Sequence, residues 1–399
     1  MNKLWTASFL SACVGNFLLF FAFYLLIPIF PLYLIDTFDA SKSLVGLVLS
    51  SYTLAALFVR PVAGFLLDLF PRKPQYLIAF LLFVLTFIGY PLVTTVNLFL
   101  IIRILHGTSF GFVTTAGNSL VVDILPASRR GEGLGFFGVA NNLAMVVGPM
   151  TSLLMHEKEM DYKLIFYLSI ISGLLGFVFA SMIKVHKPFE SNKERIRGFD
   201  RFFLFKGFKA GVSLLLTGIP YGMFTTYLAI YGKELGIDVG LGLFFSLLAV
   251  GLVFSRLFSG KMVDRGKLNK AIEYGLFISV TGLFLLASLH RLNDYNHLLV
   301  NVLFLVIPVI LGLGYGLIFP AFNTLFVNLA PNNRRATASS TFMTSWDLGV
   351  GTGLILGGQF ADSNGGLPLA FLVGALLSLF SFVYFVKSAG PHFLRNKLR

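Results

Sequence analysis

Twelve long apolar runs, separated by short polar breaks, organise this chain. They lie near residues 8–35, 44–69, 75–95, 97–122, 133–155, 164–185, 206–232, 240–262, 270–290, 297–329, 337–360 and 367–387. A bilayer core about 30 Å thick needs roughly 20 apolar residues in one helix, and each run reaches that length. Helices satisfy their own backbone hydrogen bonds in lipid. The pattern therefore predicts an all-α membrane protein of twelve transmembrane helices. The first run is too long for a cleaved leader, carries Pro28 and Pro31, and lacks a small-residue cleavage site, so it is read as a retained helix.

Composition closes off the soluble alternatives. Of 399 residues, 56% are hydrophobic and only 12% are charged, against about 25% charged in a soluble domain. The 31 Lys and Arg outnumber the 18 Asp and Glu, for a net charge of +13. A basic excess can mark a nucleic-acid binder, but here the cations sit between apolar runs, and no nucleic-acid partner is expected. A single cysteine, Cys13, rules out an internal disulfide, and the six histidines show no metal-ligand spacing, so no metal is expected. Most of the cations, among them Lys3, Arg72, Lys73, Arg129, Arg130, Lys184, Lys261, Arg265, Arg334, Arg335 and Lys397, fall on one side of the predicted helices. Only Lys42, Lys158, Lys163, Lys233 and Arg291 fall in loops on the other. Cytoplasmic loops hold the positive charge, which places both termini inside the cell.

The chain repeats itself. Arg60, Gly64 and Asp68 recur as Arg256, Gly260 and Asp264, offset by 196 positions. Gly107, Gly111, Asn118, Pro126, Arg129 and Arg130 recur as Gly312, Gly316, Asn323, Pro331, Arg334 and Arg335, all offset by 205. On that second register Asn142 falls opposite Asp347. The longest polar interruption separates six helices from six. The expected organisation is a bundle over residues 1–185, a cytoplasmic linker over 186–205 and a second bundle over 206–399. Two parallel repeats around a midplane site are an architecture of secondary transporters.

The segment from Gly64 to Lys73, Gly-Phe-Leu-Leu-Asp-Leu-Phe-Pro-Arg-Lys, resembles the helix 2–3 signature of the major facilitator superfamily, roughly G-x-L-A-D-R-x-G-R-K. Leu69 and Pro71 stand where that signature has Arg and Gly. Arg103, Gly107 and Gly111 resemble the family's second motif. The resemblance is strongest to its twelve-helix drug and metabolite:proton antiporter branch. It implies two pseudo-symmetric six-helix bundles and a cytoplasmic gating cluster. That cluster would comprise Gly64, Asp68, Arg72, Lys73 and Asp123, with Asp264 and Arg265 in the second half. The antiporter signature of helix 5 is incomplete: Gly138 and Gly148-Pro149 fit, but Thr151-Ser152 replace the closing glycines.

Ionisable groups deep in a bilayer cost about 2.5–3.5 kcal/mol each on insertion scales and mark functional sites by default. Arg60 and Arg256 lie near helix ends, where long side chains reach back to the interface. Arg103 lies deeper, and the resemblance ties its position to proton movement. His106, one turn on, reads either as a proton stop or as a packing histidine. Asp347 is ten residues into its helix, about 15 Å at 1.5 Å per residue, and is the one acid at that depth. It reads as a proton carrier, a ligand for a cationic substrate, or a salt-bridge partner of Arg103 or another interior base. Trp346, next in sequence, reads either as a stacking surface for a flat substrate or as core packing. Candidate cavity residues are Asn16, Tyr24, Tyr33, Asn118, Asn141, Asn142, Tyr221, Tyr227 and Asn323.

The expected function is secondary transport of a small organic solute by alternating access. Proton-driven efflux of a drug-like compound or metabolite across the cell membrane comes first, with a proton gradient and no cofactor, by a monomer. Proton-coupled or facilitative uptake of a sugar, nucleoside or organic anion is the alternative. A non-transporting receptor or scaffold on the same fold is the alternative of another class. An enzyme is not expected: the chain has no H-E-x-x-H segment and no phosphate-binding G-x-x-x-x-G-K-[ST] loop, and its G-x-S-x-G match, Gly107–Gly111, lies inside a long apolar run rather than on a strand-to-helix turn.

Overall fold

A computed structural model describes residues 4–126, 129–185, 203–237, 240–264, 266–331 and 335–398. The predicted linker falls outside them apart from residues 203–205. Also outside are Arg265, Arg334 and the side chains of Asp68, Arg130, Arg256, Asp264 and Arg335. The described residues are almost wholly helical: α1 Ala7–Leu26, α2 Ile29–Phe38, α3 Lys42–Leu69, α4 Arg72–Gly89, α5 Val96–Ile124, α6 Arg130–Glu157 and α7 Tyr162–Ser181. The second half holds α8 Phe208–Glu234, α9 Leu241–Asp264, α10 Leu268–Asn293, α11 His297–Leu329, α12 Arg335–Ala361, α13 Gly366–Tyr384 and α14 Gly390–Asn396. A 3₁₀ turn at Tyr90–Leu92 ends α4, and a π-helical turn at Phe385–Ala389 joins α13 to α14.

Local chemistry explains where these helices begin. Thr6 Oγ1 accepts from Phe9 N, Thr95 Oγ1 from Leu98 N, and Asn296 Oδ1 from Leu299 N. Each satisfies an N–H that the first helical turn leaves without an intrahelical partner. The first predicted run is interrupted: α1 ends at Leu26 and α2 begins at Ile29. Pro28 lacks an N–H and its ring crowds the carbonyl four residues earlier. Pro61, Pro149, Pro220, Pro308 and Pro320 lie inside helices without such a break.

Among the described residues, ten helical stretches are long and apolar enough to cross a membrane. This is a multi-pass membrane protein. Two of the twelve expected spans are not among the ten. In α9 the side chains are described as far as Ser255 before a gap, and the apolar stretch found is Leu241–Ser255. In α12, Thr337, Thr341, Thr344, Ser345 and Asp347 lower the apolar content of the helix that carries the deep acid. Large side chains such as Phe58, Ile78, Leu92 and Phe277 are exposed along the helices, as lipid-facing surfaces require.

Contacts divide the chain into two compact units, Met1–Leu34 with Ser51–Arg195, and Ile35–Ser50 with Ile196–Arg399. In the first, α1 packs on α6 and α7, and α4 on α5 and α7. Asn16 Nδ2 donates to Phe137 O across α1 and α6, at 3.1 Å. In the second, α8 packs on α12, and α11 on α9 and α10. A buried hydroxyl cluster joins α8 to α13, with Ser213 Oγ 2.8 Å and Thr217 Oγ1 3.0 Å from Ser381 Oγ. The Asp362 carboxylate accepts from the backbone N–H groups of Lys42 and Ser43, at 3.0 and 2.7 Å. Burial pushes that carboxyl up, but these bonds and those of the Ser41 and Ser43 side chains outweigh it and hold it below its ordinary range. Lys42 also pairs with Glu234.

The internal repeat is a repeat of packing. A Cβ on Gly107 would sit 2.1 Å from Tyr52 O, and one on Gly312 would sit 2.0 Å from Leu248 O. Gly111 faces Ala56 O at 2.8 Å, and Gly316 faces Leu252 O at 2.9 Å. Tyr52 and Leu248, like Ala56 and Leu252, are 196 positions apart, while the glycines are 205 apart. The two sequence offsets thus describe one helix contact made twice. Glycine allows the backbones to approach this closely, as small residues do between membrane helices.

Candidate functional site

In the first unit, Arg103 and His106 lie on one face of α5, since residues three apart are helix-surface neighbours. Both are buried, at 6% and 0% exposure. The Arg103 guanidinium carbon is 4.4 Å from the Tyr52 ring centroid and 5.0 Å from that of Phe30. Cations over aromatic faces at these distances are attracted by the ring quadrupole. Tyr90 Oη lies 2.7 Å from His106 Nδ1. The rings of Phe23, Tyr52, Phe83 and Phe87 close around the imidazole. Sequence reasoning missed Phe30, Tyr52 and Tyr90. Among 45 Phe and 14 Tyr, nothing in their spacing separates them from packing or lipid-facing rings.

In the second unit, Trp346 stands in an aromatic group. Its ring centroid is 4.9 Å from Tyr221, 5.4 Å from Phe319 and 6.3 Å from Tyr315. Phe319 in turn meets Phe342 edge-on. Asp347 follows Trp346 directly on α12 and is half-buried, with Oδ2 shielded from solvent. A flat apolar surface and a group that can gain or lose a charge are therefore carried by successive residues of α12. Asp347 and Arg103 belong to different units, so neither unit by itself contains the salt bridge between them that the sequence admits.

The remaining candidates divide by what they touch. Arg72 Nη1 meets Asp123 Oδ1 at 2.7 Å, with the side chains 27% and 30% exposed; such a pair contributes about 0–1 kcal/mol of stability. Arg72 Nε also donates to Leu67 O at 3.4 Å, and Gln75 Nε2 to Leu66 O and Phe70 O. These bonds tie the start of α4 to the last carbonyls of α3. Gly64 has open space around its Cα, and Lys73 is half-exposed. Tyr227, expected at a cavity wall, is instead fully buried. Its hydroxyl donates to Leu354 O at 2.8 Å and Lys42 O at 3.2 Å. Asn16 is likewise committed to helix packing, and Tyr33 sits among Phe99, Tyr162 and Phe166. Tyr24 stacks on Phe20, and Asn118 is exposed. Asn142 is half-buried. The carboxamide oxygens of Asn141 and Asn323 are buried and accept no hydrogen bond among the described residues.

A family model of the Major Facilitator Superfamily matches residues 12–351 and again 298–397. The chain belongs to the Major Facilitator Superfamily. It is a transporter and not an enzyme. The quinolone resistance protein NorA of Staphylococcus aureus (strain COL) is 25% identical over 377 residues, covering 91% of this chain and 92% of the relative. An MFS-type transporter of Methanocaldococcus jannaschii is 26% identical over 351 residues, covering 85% and 87%. Solved structures share the fold. The nucleoside transporter NupG superposes with a TM-score of 0.74 at 16% identity, covering 95% of this chain and 98% of that one. A mutant of the peptide transporter POT in complex with sulfate superposes at 0.81 and 15% identity, covering 98% and 95%. Transporters of this superfamily bind small-molecule substrates within the membrane.

Proposed function

We propose that this transporter exports small amphipathic organic compounds across the cell membrane in exchange for protons. Its twelve helices form two bundles, residues 1–185 and 206–399, joined by a cytoplasmic linker over 186–205. Both termini face the cytoplasm, and the working unit is a monomer. Alternating access around a midplane site is driven by the proton gradient, with no cofactor. Residues Gly64, Asp68, Arg72, Lys73, Asp123, Asp264 and Arg265 form the cytoplasmic gate.

The observation that carries this reading is Asp347 next in sequence to Trp346 on α12, whose ring meets those of Tyr221 and Phe319. The rings offer a face to a flat organic solute, and the carboxyl offers a proton or a counter-charge to it. A pocket with an apolar wall and few convergent polar groups is the usual form of a small-ligand site. The likeness to a quinolone resistance protein over most of both chains supports a substrate of that kind. Uptake of an organic anion, sugar or nucleoside is the second reading, favoured by the buried cation Arg103.

Thermal stabilisation of the purified protein tests the substrate class. A ligand present at 100 times its Kd adds about 2.7 kcal/mol to apparent stability. A quinolone and other flat amphipathic compounds are expected to raise the melting temperature, and sugars and nucleosides to leave it unchanged. Stabilisation by sugars, nucleosides or organic anions alone would replace the first reading with the second.

A further inference from the structure

The C-terminal helix α14 takes no part in the proposed transport site. It closes the last apolar stretch, Gly366–Asn396, which is 31 residues long, or about 46 Å at 1.5 Å per residue. A bilayer core is about 30 Å thick, so roughly the final third of the stretch lies beyond it. Its first charged residue is Lys387, in the π-helical turn that leads into α14. At the start of α8, Lys206 and Lys209 precede residues 210–232, which carry no charge. Both segments therefore reach the headgroup level.

They reach it at the same end. His392 Nε2 donates to Lys206 O at 3.1 Å. Asn269 Nδ2, at the start of α10, donates to Gly390 O at 3.0 Å. Leu398 N donates to Asn328 O, near the end of α11, at 2.9 Å. Phe393 of α14 is buried. The C-terminal segment is thus fastened across the ends of three membrane helices.

What it leaves outside is of two kinds. Phe205, Phe208, Leu394 and Leu398 are each more than half exposed. The cations Lys206, Lys209, Lys387, Arg395 and Lys397 are exposed as well, and four of them directly adjoin one of those apolar residues in the chain. Residues 205–209 and 386–398 contain no acid, and at the start of α10 Lys267 and Lys270 outnumber Glu273. Interfacial segments combine the same two elements, apolar side chains that enter the acyl boundary and cations that meet the phosphates. A second copy of the chain would bring cations against cations here. An acidic phospholipid supplies both the anionic group and the apolar chain in one molecule.

We propose that residues 205–209 and the α14 segment form a docking surface for anionic phospholipid headgroups. The leaflet is the one at this end, cytoplasmic in the proposed topology, and the bound lipid braces the ends of α8, α10 and α11. The docking is independent of which solute is carried.

Lipid titration of the purified full chain in a neutral detergent tests this, read as thermal stabilisation and as bound lipid by native mass spectrometry. Phosphatidylglycerol is expected to bind and raise the melting temperature. Zwitterionic phosphatidylcholine and inorganic phosphate at equal concentration should leave it unchanged. Each cation near an anionic surface contributes about fivefold to binding, so Arg395→Gln with Lys397→Gln should weaken phosphatidylglycerol binding about 25-fold. The same loss of charge in the opposite loop, Lys158→Gln with Lys163→Gln, should not weaken it. All four positions are exposed, so melting temperatures without lipid should agree with the wild type. Equal binding of the two lipids, or undiminished phosphatidylglycerol binding by the Arg395 and Lys397 variant, overturns the proposal. So does stabilisation by inorganic phosphate equal to that by phosphatidylglycerol, which assigns the cations to a soluble anion. A dimer in detergent that the same variant abolishes overturns it in favour of a second copy.

Discussion

Replacing Asp347 by Asn should abolish gradient-driven transport while leaving the protein folded. The carboxamide matches the carboxyl in size and keeps an acceptor oxygen, so the packing of α12 around this position is preserved. What it loses is the ability to bind and release a proton. A positioned proton carrier is worth about 100- to 10,000-fold in rate, and gradient-dependent flux should fall by at least that lower figure. Asp347→Glu keeps the titrating group on a longer stem and should retain part of the activity. The melting temperatures of both variants should lie close to that of the wild type. Unimpaired gradient-dependent flux by Asp347→Asn would remove the acid from the coupling mechanism.

The largest effect on stability should come from Gly312→Ala. The new Cβ would sit 2.0 Å from Leu248 O and 2.9 Å from both Gly251 Cα and Leu252 N, well inside the contact distance of about 3.5 Å. All three neighbours are backbone atoms of α9, which cannot turn aside as a side chain end can. The helices must separate, and overpacking of this kind costs about 1–3 kcal/mol or more. The repeat makes the same demand at Gly107, where Tyr52 O is the obstacle, and Gly107→Ala should destabilise similarly. Gly138→Ala is the control. No atom lies within 4 Å of a Cβ there, and in α6 alanine is the better helix former by about 1 kcal/mol. The melting temperature should fall for Gly312→Ala and Gly107→Ala and hold or rise for Gly138→Ala. Equal behaviour of all three would refute the packing account of the repeat.

Helices were legible where lipid length and capping both speak. The apolar run at 297–329 coincides with α11, His297–Leu329, which begins after the capping residue Asn296. The run at 97–122 is close to α5, Val96–Ile124, capped by Thr95. The break between α1 and α2 was signalled by Pro28, but five other prolines sit inside helices, so proline alone does not predict an interruption. The π-helical turn at Phe385–Ala389 has no sequence signal that distinguishes it from a continuing α-helix. In the site, Arg103, His106 and Asp347 stood out because charge is rare in these runs. The rings around Arg103 and His106 did not, because Tyr52 and Tyr90 are of the same residue types that cover lipid-facing helices. Tyr227 shows the converse: a tyrosine chosen for its hydroxyl proved to be spending that hydroxyl on two backbone carbonyls.

Simultaneous measurement of substrate and proton movement in sealed vesicles tests the exchange mechanism most directly. The purified transporter would be reconstituted with a pH-sensitive dye trapped inside, and a quinolone added outside without an imposed gradient. Proton–substrate exchange predicts that quinolone entry is accompanied by proton exit in fixed proportion, and that Asp347→Asn shows no such proton exit. Quinolone movement with no accompanying proton flux in the wild type, or the same proton flux in Asp347→Asn, would contradict it.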